Sequence, residues 1–139
     1  MPQPTMSGAV SHPLVQKILK YQQAMARGDE SAAQEVFLDD VSYLVPGANV
    51  FSGTYRGPSE VMAYFARLMA ATDGTYEITA MNWLVCGDKV ILETRNAATR
   101  NGQKLEWDEA ILFKFRGGRK SKIEMFQADQ AAVDRFFGA

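Results

Sequence analysis

Apolar positions recur along this chain with two different periods. After Pro13, the residues Leu14, Ile18, Tyr21 and Met25 are spaced four, three and four apart, which sets them on one face of a helix. Gly28 ends the pattern, and Asp29 is placed to cap a short second helix whose apolar positions are Ala33, Val36 and Phe37. LDDVSYLV then reads as a strand. The stretch PGANVFSGTYRGPSE holds three glycines and two prolines, so it is a turn-rich connection with a short strand around Thr54 and Tyr55. Pro58 fits the first turn of a third helix, with Glu60 near the positive end of its dipole. Val61, Phe65 and Leu68, flanked by Met62 and Met69, make its buried stripe, and Gly74 ends it.

From Thr75 the period becomes two. YEITAMNWLVC, KVILETRNAATR, KLEWDEAILFKF and KIEMFQA read as four strands. They are joined by turns at Gly87–Asp88, Asn101–Gly102 and residues 116–121, and Asn-Gly is the strongest hairpin signal among these. Asp129 is an N-cap for a terminal helix, QAAVDRFF. Helices followed by a meander of strands predict an α+β fold with helices on one face of a curved, mostly antiparallel sheet. No linker or repeat divides the chain. Residues 13–139 are expected as one domain, and residues 1–12 as a flexible polar tail.

Composition narrows the classes. At 139 residues the chain suits one domain. A net charge of −1 argues against a nucleic-acid binder, which is usually clearly basic. One cysteine and one histidine exclude an intramolecular disulfide and a Cys/His zinc site within one chain. No apolar run approaches the roughly 20 residues that span a bilayer, and the N-terminus lacks the basic start and apolar core of a signal peptide. A cytoplasmic protein without membrane attachment, metal or other cofactor is expected.

The order of elements, with the strings MARGDESAAQEVFLDDVSYLVPG, FSGTYRGPSEVMAYFARL and DQAAVDRFF, resembles the SnoaL-like group of the nuclear transport factor 2-like superfamily over about residues 12 to 138. The resemblance implies a cone: a strongly bent sheet wrapped around the N-terminal helices, with a mostly apolar pocket between them. Many members pair through the sheet, so a homodimer is implied as well. The group includes isomerases, cyclases, dehydratases and epoxide hydrolases, so the fold leaves the reaction open. In a gapless reading against ketosteroid isomerases, Tyr21 falls where those enzymes keep an oxyanion-stabilising tyrosine. Val45 falls where they keep the carboxylate base, and Ile111 where they keep a protonated acid. Loss of the base removes the group that takes the proton, a contribution on the order of 10²–10⁴ in rate. Steroid-type isomerisation therefore does not carry over.

With Ile111 inward, Trp107, Glu109, Phe113 and Phe115 share its face. Asp108, Ala110, Leu112 and Lys114 take the other, and the charges of Asp108 and Lys114 agree with that choice without reference to any family. Glu109 would then be a desolvated carboxyl with its pKa raised toward a useful acid–base value. The competing reading is an ion pair with Arg95 or Arg100. Tyr21 is either a phenol that donates to a ligand oxygen or a core tyrosine with its hydroxyl on the backbone. Met25, Tyr43, Val45, Trp107, Ile111, Phe113 and Phe126 complete the expected lining. Glu93 and Arg95 read as surface groups, and His12 as a capping or flexible residue. Cys86 reads as a small half-buried residue. Arg116, Arg119, Lys120 and Lys122 read together as a solvated hairpin, and Asp40 as a turn or capping acceptor.

Two functional classes remain. One is an enzyme acting on a small, largely apolar, cyclic molecule with an oxygen function, isomerising, cyclising or hydrolysing it, with Tyr21 polarising the oxygen and Glu109 moving a proton. The other is a non-catalytic ligand-binding or dimerisation module of the same fold.

Overall fold

A computed structural model describes residues 3–139, apart from the Ala33 side chain. Its elements are β1 (Thr5–Gly8), α1 (Pro13–Ala26), α2 (Glu30–Gln34), β2 (Phe37–Val45), β3 (Gly53–Arg56), α3 (Gly57–Ala71), β4 (Glu77–Cys86), β5 (Lys89–Arg100), β6 (Gln103–Arg116), β7 (Arg119–Gln127) and α4 (Gln130–Phe137). The strands form one open sheet in the order β1-β4-β5-β6-β7-β2-β3. β1–β4 and β2–β7 are parallel pairs and the rest are antiparallel. The α+β architecture expected from the sequence is the one observed.

Local chemistry explains most of the boundaries. His12 caps α1 by accepting from the Leu14 backbone N–H at 3.1 Å, and Asp29 accepts from Ala32 at 3.1 Å ahead of the short α2. Asp129 accepts from Ala132 at 3.1 Å and starts α4. Asn101 and Gly102 have φ of 52° and 75°, the paired positive values that a two-residue type I′ hairpin demands. Phe37 belongs to β2 rather than to the second helix, where it is buried against Tyr21.

The segment expected as a flexible tail contributes β1, which pairs with β4 from Thr5–Ala80 to Gly8–Trp83. Met1 and Pro2 of that segment lie outside the described residues. The side chains of β1 are exposed, so backbone pairing holds it and no alternation of apolar residues marks it. Gly8, at φ 81°, lies against the Trp83 backbone with no room for a Cβ.

Irregular pairings bend the sheet, and one of them sets the site. Lys114 pairs with Lys122, but Phe115 pairs with Lys120, so Ser121 is an extra residue on β7. A bulge of this kind shifts the alternation of faces by one. Lys120 therefore joins Phe115 on the inner face. Beyond the bulge, Ile123, Met125 and Gln127 stand opposite Phe113, Ile111 and Glu109. The core fills the concave side with Val15, Ile18, Tyr21 and Ala24 of α1, Val61, Met62, Tyr64 and Leu68 of α3, and Val133, Phe136 and Phe137 of α4.

Candidate functional site

A cavity of about 290 Å³ lies between the concave sheet and the helices, near the lower end of the size range of small-molecule sites. Its walls are mostly apolar. Gln22, Met25 and Ala26 of α1 and Met69 of α3 line it while keeping solvent exposure. Of the candidate residues, Tyr21, Met25, Tyr43, Val45, Trp107, Glu109, Ile111 and Phe113 all line this one space.

Phe126 does not. It is 52% exposed and pairs with Ala110, which belongs to the outer face. The inward neighbours on β7 are Met125 and Gln127, and both line the cavity.

Glu109 is buried, with 7% of its surface exposed. Trp107 Nε1 donates to its Oε1 at 2.9 Å, and Gln127 Nε2 donates to the same oxygen at 3.3 Å. Oε2 receives no protein hydrogen bond among the described residues. Burial raises the carboxyl pKa, and the two donated bonds oppose that rise. The ion pair considered as the alternative does not form. Arg95 binds Asp108 and Glu106 on the outer face, and Arg100 donates to the Phe136 carbonyl. Glu93 also faces outward and accepts from Asn82.

Three tyrosines line the cavity together with the carboxyl. The hydroxyls of Tyr43, Tyr64 and Tyr76 are made less acidic by burial first, and further by neighbouring groups that include Glu109. Tyr76 donates to Asn96 at 3.2 Å. Tyr64 and Tyr76 are missing from the sequence reading. Tyr64 had a signal, because it follows Val61 by three and precedes Leu68 by four on the same helical stripe.

Tyr21 lines the cavity too. Its hydroxyl is buried without a hydrogen-bond partner among the described residues, and burial pushes its pKa up. Lys120, read from sequence as part of a solvated hairpin, is 1% exposed and lines the cavity. Its Nζ lies 4.1 Å from the Tyr21 ring centroid, 4.7 Å from Phe113 and 5.1 Å from Phe37. Burial draws its pKa down from 10.5 to about 7, while the three aromatic faces favour the charged ammonium. Arg116, Arg119 and Lys122 are exposed as expected. Arg116 pairs with Asp40 at 3.0 Å, which gives that aspartate an ionic partner rather than a turn to cap. Cys86 is exposed rather than half-buried.

Lys120 is level with Phe115, and Glu109 is six residues away along β6. At about 3.3 Å per residue that is roughly 20 Å of strand. The cavity is thus a mostly apolar slot in which Glu109 and the Lys120–Tyr21 pair stand apart along the strands. No group of three or more potential metal ligands occurs among the described residues.

A curved open sheet closed over a ligand-sized cavity by helices defines the class of cone-shaped α+β pocket folds. Comparison with known proteins names it more closely. A family model for the SnoaL-like domain matches residues 18–123, and the chain belongs to that family. Uncharacterized proteins of Mycobacterium tuberculosis and Mycobacterium bovis are 38% identical to it over 115 residues, covering 82% of this chain and 88% of theirs. Bal32a, from a soil-derived mobile gene cassette, superposes with a TM-score of 0.82 at 28% identity, covering 90% of this chain and 96% of its own. An NTF2-like protein of Burkholderia xenovorans shares the fold at a TM-score of 0.77 and 22% identity, with 90% and 95% covered.

Proposed function

We propose that this protein binds a small, largely apolar molecule with an oxygen function in the cavity, and that Glu109 exchanges a proton with it. The observation that carries the reading is the state of Glu109. It is a buried carboxyl with one oxygen held by two donors and the other without a protein partner. A carboxyl whose pKa is raised by burial works as an acid or base closer to neutral pH. The unpartnered Tyr21 hydroxyl supports a second contact, since a buried phenol usually finds an acceptor. In this reading Trp107 and Gln127 orient the carboxyl, Tyr21 donates to a ligand oxygen, and Met25, Tyr43, Val45, Ile111 and Phe113 supply apolar contact. The fully apolar positions Val45 and Ile111 leave Glu109 as the proton-transfer group on this face.

Native mass spectrometry of the purified protein, followed by identification of any molecule released on denaturation, tests the binding part. Turnover of that molecule by Glu109→Gln and Tyr21→Phe tests the chemistry. Unchanged turnover in both variants would sink the acid–base role and leave a non-catalytic binding module of the same fold.

A further inference from the structure

Among the described residues no carboxylate stands within 4 Å of the Lys120 ammonium. It makes no ion pair and donates no side-chain hydrogen bond among the described residues, and its neighbours are the faces of Tyr21, Phe37 and Phe113. Glu109 stands apart from it along the strands. A cation buried without a partner anion is costly, and aromatic faces offset only part of that cost. The bulge at Ser121 is what turns this side chain inward, away from the solvent that Arg119 and Lys122 reach. The donor set at this end is therefore one ammonium and one unpartnered phenol hydroxyl, both of which seek an acceptor.

We infer that the cavity is built for an apolar molecule with an anionic oxygen group at one end, seated between the Lys120 ammonium and the Tyr21 hydroxyl, with its other end toward Glu109. The anion supplies the charge that Lys120 lacks and accepts the Tyr21 hydrogen bond. The apolar body fills the slot between the two ends. At the far end, Glu109 meets a hydroxyl or an acidic C–H rather than a second anion, because two carboxylates brought together in a buried space repel. This inference rests on the binding reading above and narrows its ligand class to organic anions.

The test compares 2-naphthoate with its neutral analogue 2-naphthamide by isothermal titration calorimetry at neutral pH. The intact chain should bind the carboxylate at least tenfold more tightly than the amide. Lys120→Met should remove that preference while leaving amide affinity within about threefold. Equal affinities in the intact chain, or a preference that survives in Lys120→Met, overturn the inference and leave the binding reading standing. Failure of both probes to bind overturns the binding reading with it. A readout independent of any variant is the Lys120 ¹³Cε and ¹⁵Nζ resonance of the intact chain. It should move with naphthoate and stay still with naphthamide, and a resonance that ignores naphthoate also overturns the inference.

Discussion

Replacing Lys120 by methionine should stabilise the ligand-free protein at low pH and do little at high pH. The sign follows from proton counting. Burial lowers the native pKa of Lys120 from 10.5 to about 7, so between those values the unfolded chain holds a proton that the native chain has lost. Stability then rises with pH across that window, and the full cost of the buried charge applies below it. A fall from 10.5 to about 7, at about 1.4 kcal/mol per unit, costs roughly 5 kcal/mol. The three aromatic faces return about 0.5–2 kcal/mol each to the charged form. At about 1 kcal/mol per face the net penalty is about 2 kcal/mol at pH 6. Methionine has a similar length and no charge, so it removes the penalty and fills the space. Equilibrium urea unfolding at pH 6, 8 and 10 measures the difference between variant and parent, in which the titration of all other groups cancels. The variant should lead by about 2 kcal/mol at pH 6, with the gap closing toward pH 10. A variant that is less stable at pH 6, or a gap that does not change with pH, would refute the reasoning.

Other outcomes follow from the same geometry. Glu109→Gln keeps an oxygen for Trp107 but cannot transfer a proton, so turnover should fall by about 10²–10⁴. The native state favours protonated Glu109, so the parent loses stability as pH rises past the ordinary carboxyl range. The glutamine variant should not, and denaturant midpoints at pH 4 and 7 would check this. Tyr21→Phe removes a hydroxyl buried without a partner. The ligand-free protein should gain up to about 1 kcal/mol in unfolding free energy while affinity for the carboxylate probe drops. Asp134 accepts from Asn49, Gln130 and the Ala48 backbone, tying the loop after β2 to α4. The bond from Asn49, with smaller help from Gln130 and Ala48, holds its pKa down, so its contribution is present above the ordinary aspartate range and fades as pH falls through the lowered value. Asp134→Asn should lower the melting temperature at pH 7 and narrow the gap to the parent at pH 3, read by differential scanning calorimetry.

Most of the fold can be read from periodicity, because burial of one face imposes it. The stripe on α1, the change to period two after Thr75, and the Asn101–Gly102 turn all act locally. Glu109 was legible for the same reason: Asp108 and Lys114 cannot share the core, so their alternates must. What escaped depends on pairing. Lys120 sits among three exposed cations, and only the bulge at Ser121 inverts its face. Phe126 looks like a core residue by type, but its partner Ala110 assigns it outward. β1 has no apolar pattern because hydrogen bonds to β4, rather than side-chain burial, hold it in place. The C-terminal end of the site is thus set by register, which one sequence records only weakly.

The two tryptophans give the most direct test of the cavity as a ligand site. Trp107 Nε1–H is bonded to Glu109 inside the cavity, whereas Trp83, whose Nε1–H is buried without a partner among the described residues, does not line it. A ¹H–¹⁵N correlation spectrum of the indole groups during a titration with 2-naphthoate separates them. The Trp107 signal should shift and saturate while the Trp83 signal stays within its linewidth. A Trp107 signal that does not move, or two signals that move together, would rule out the cavity as the ligand site.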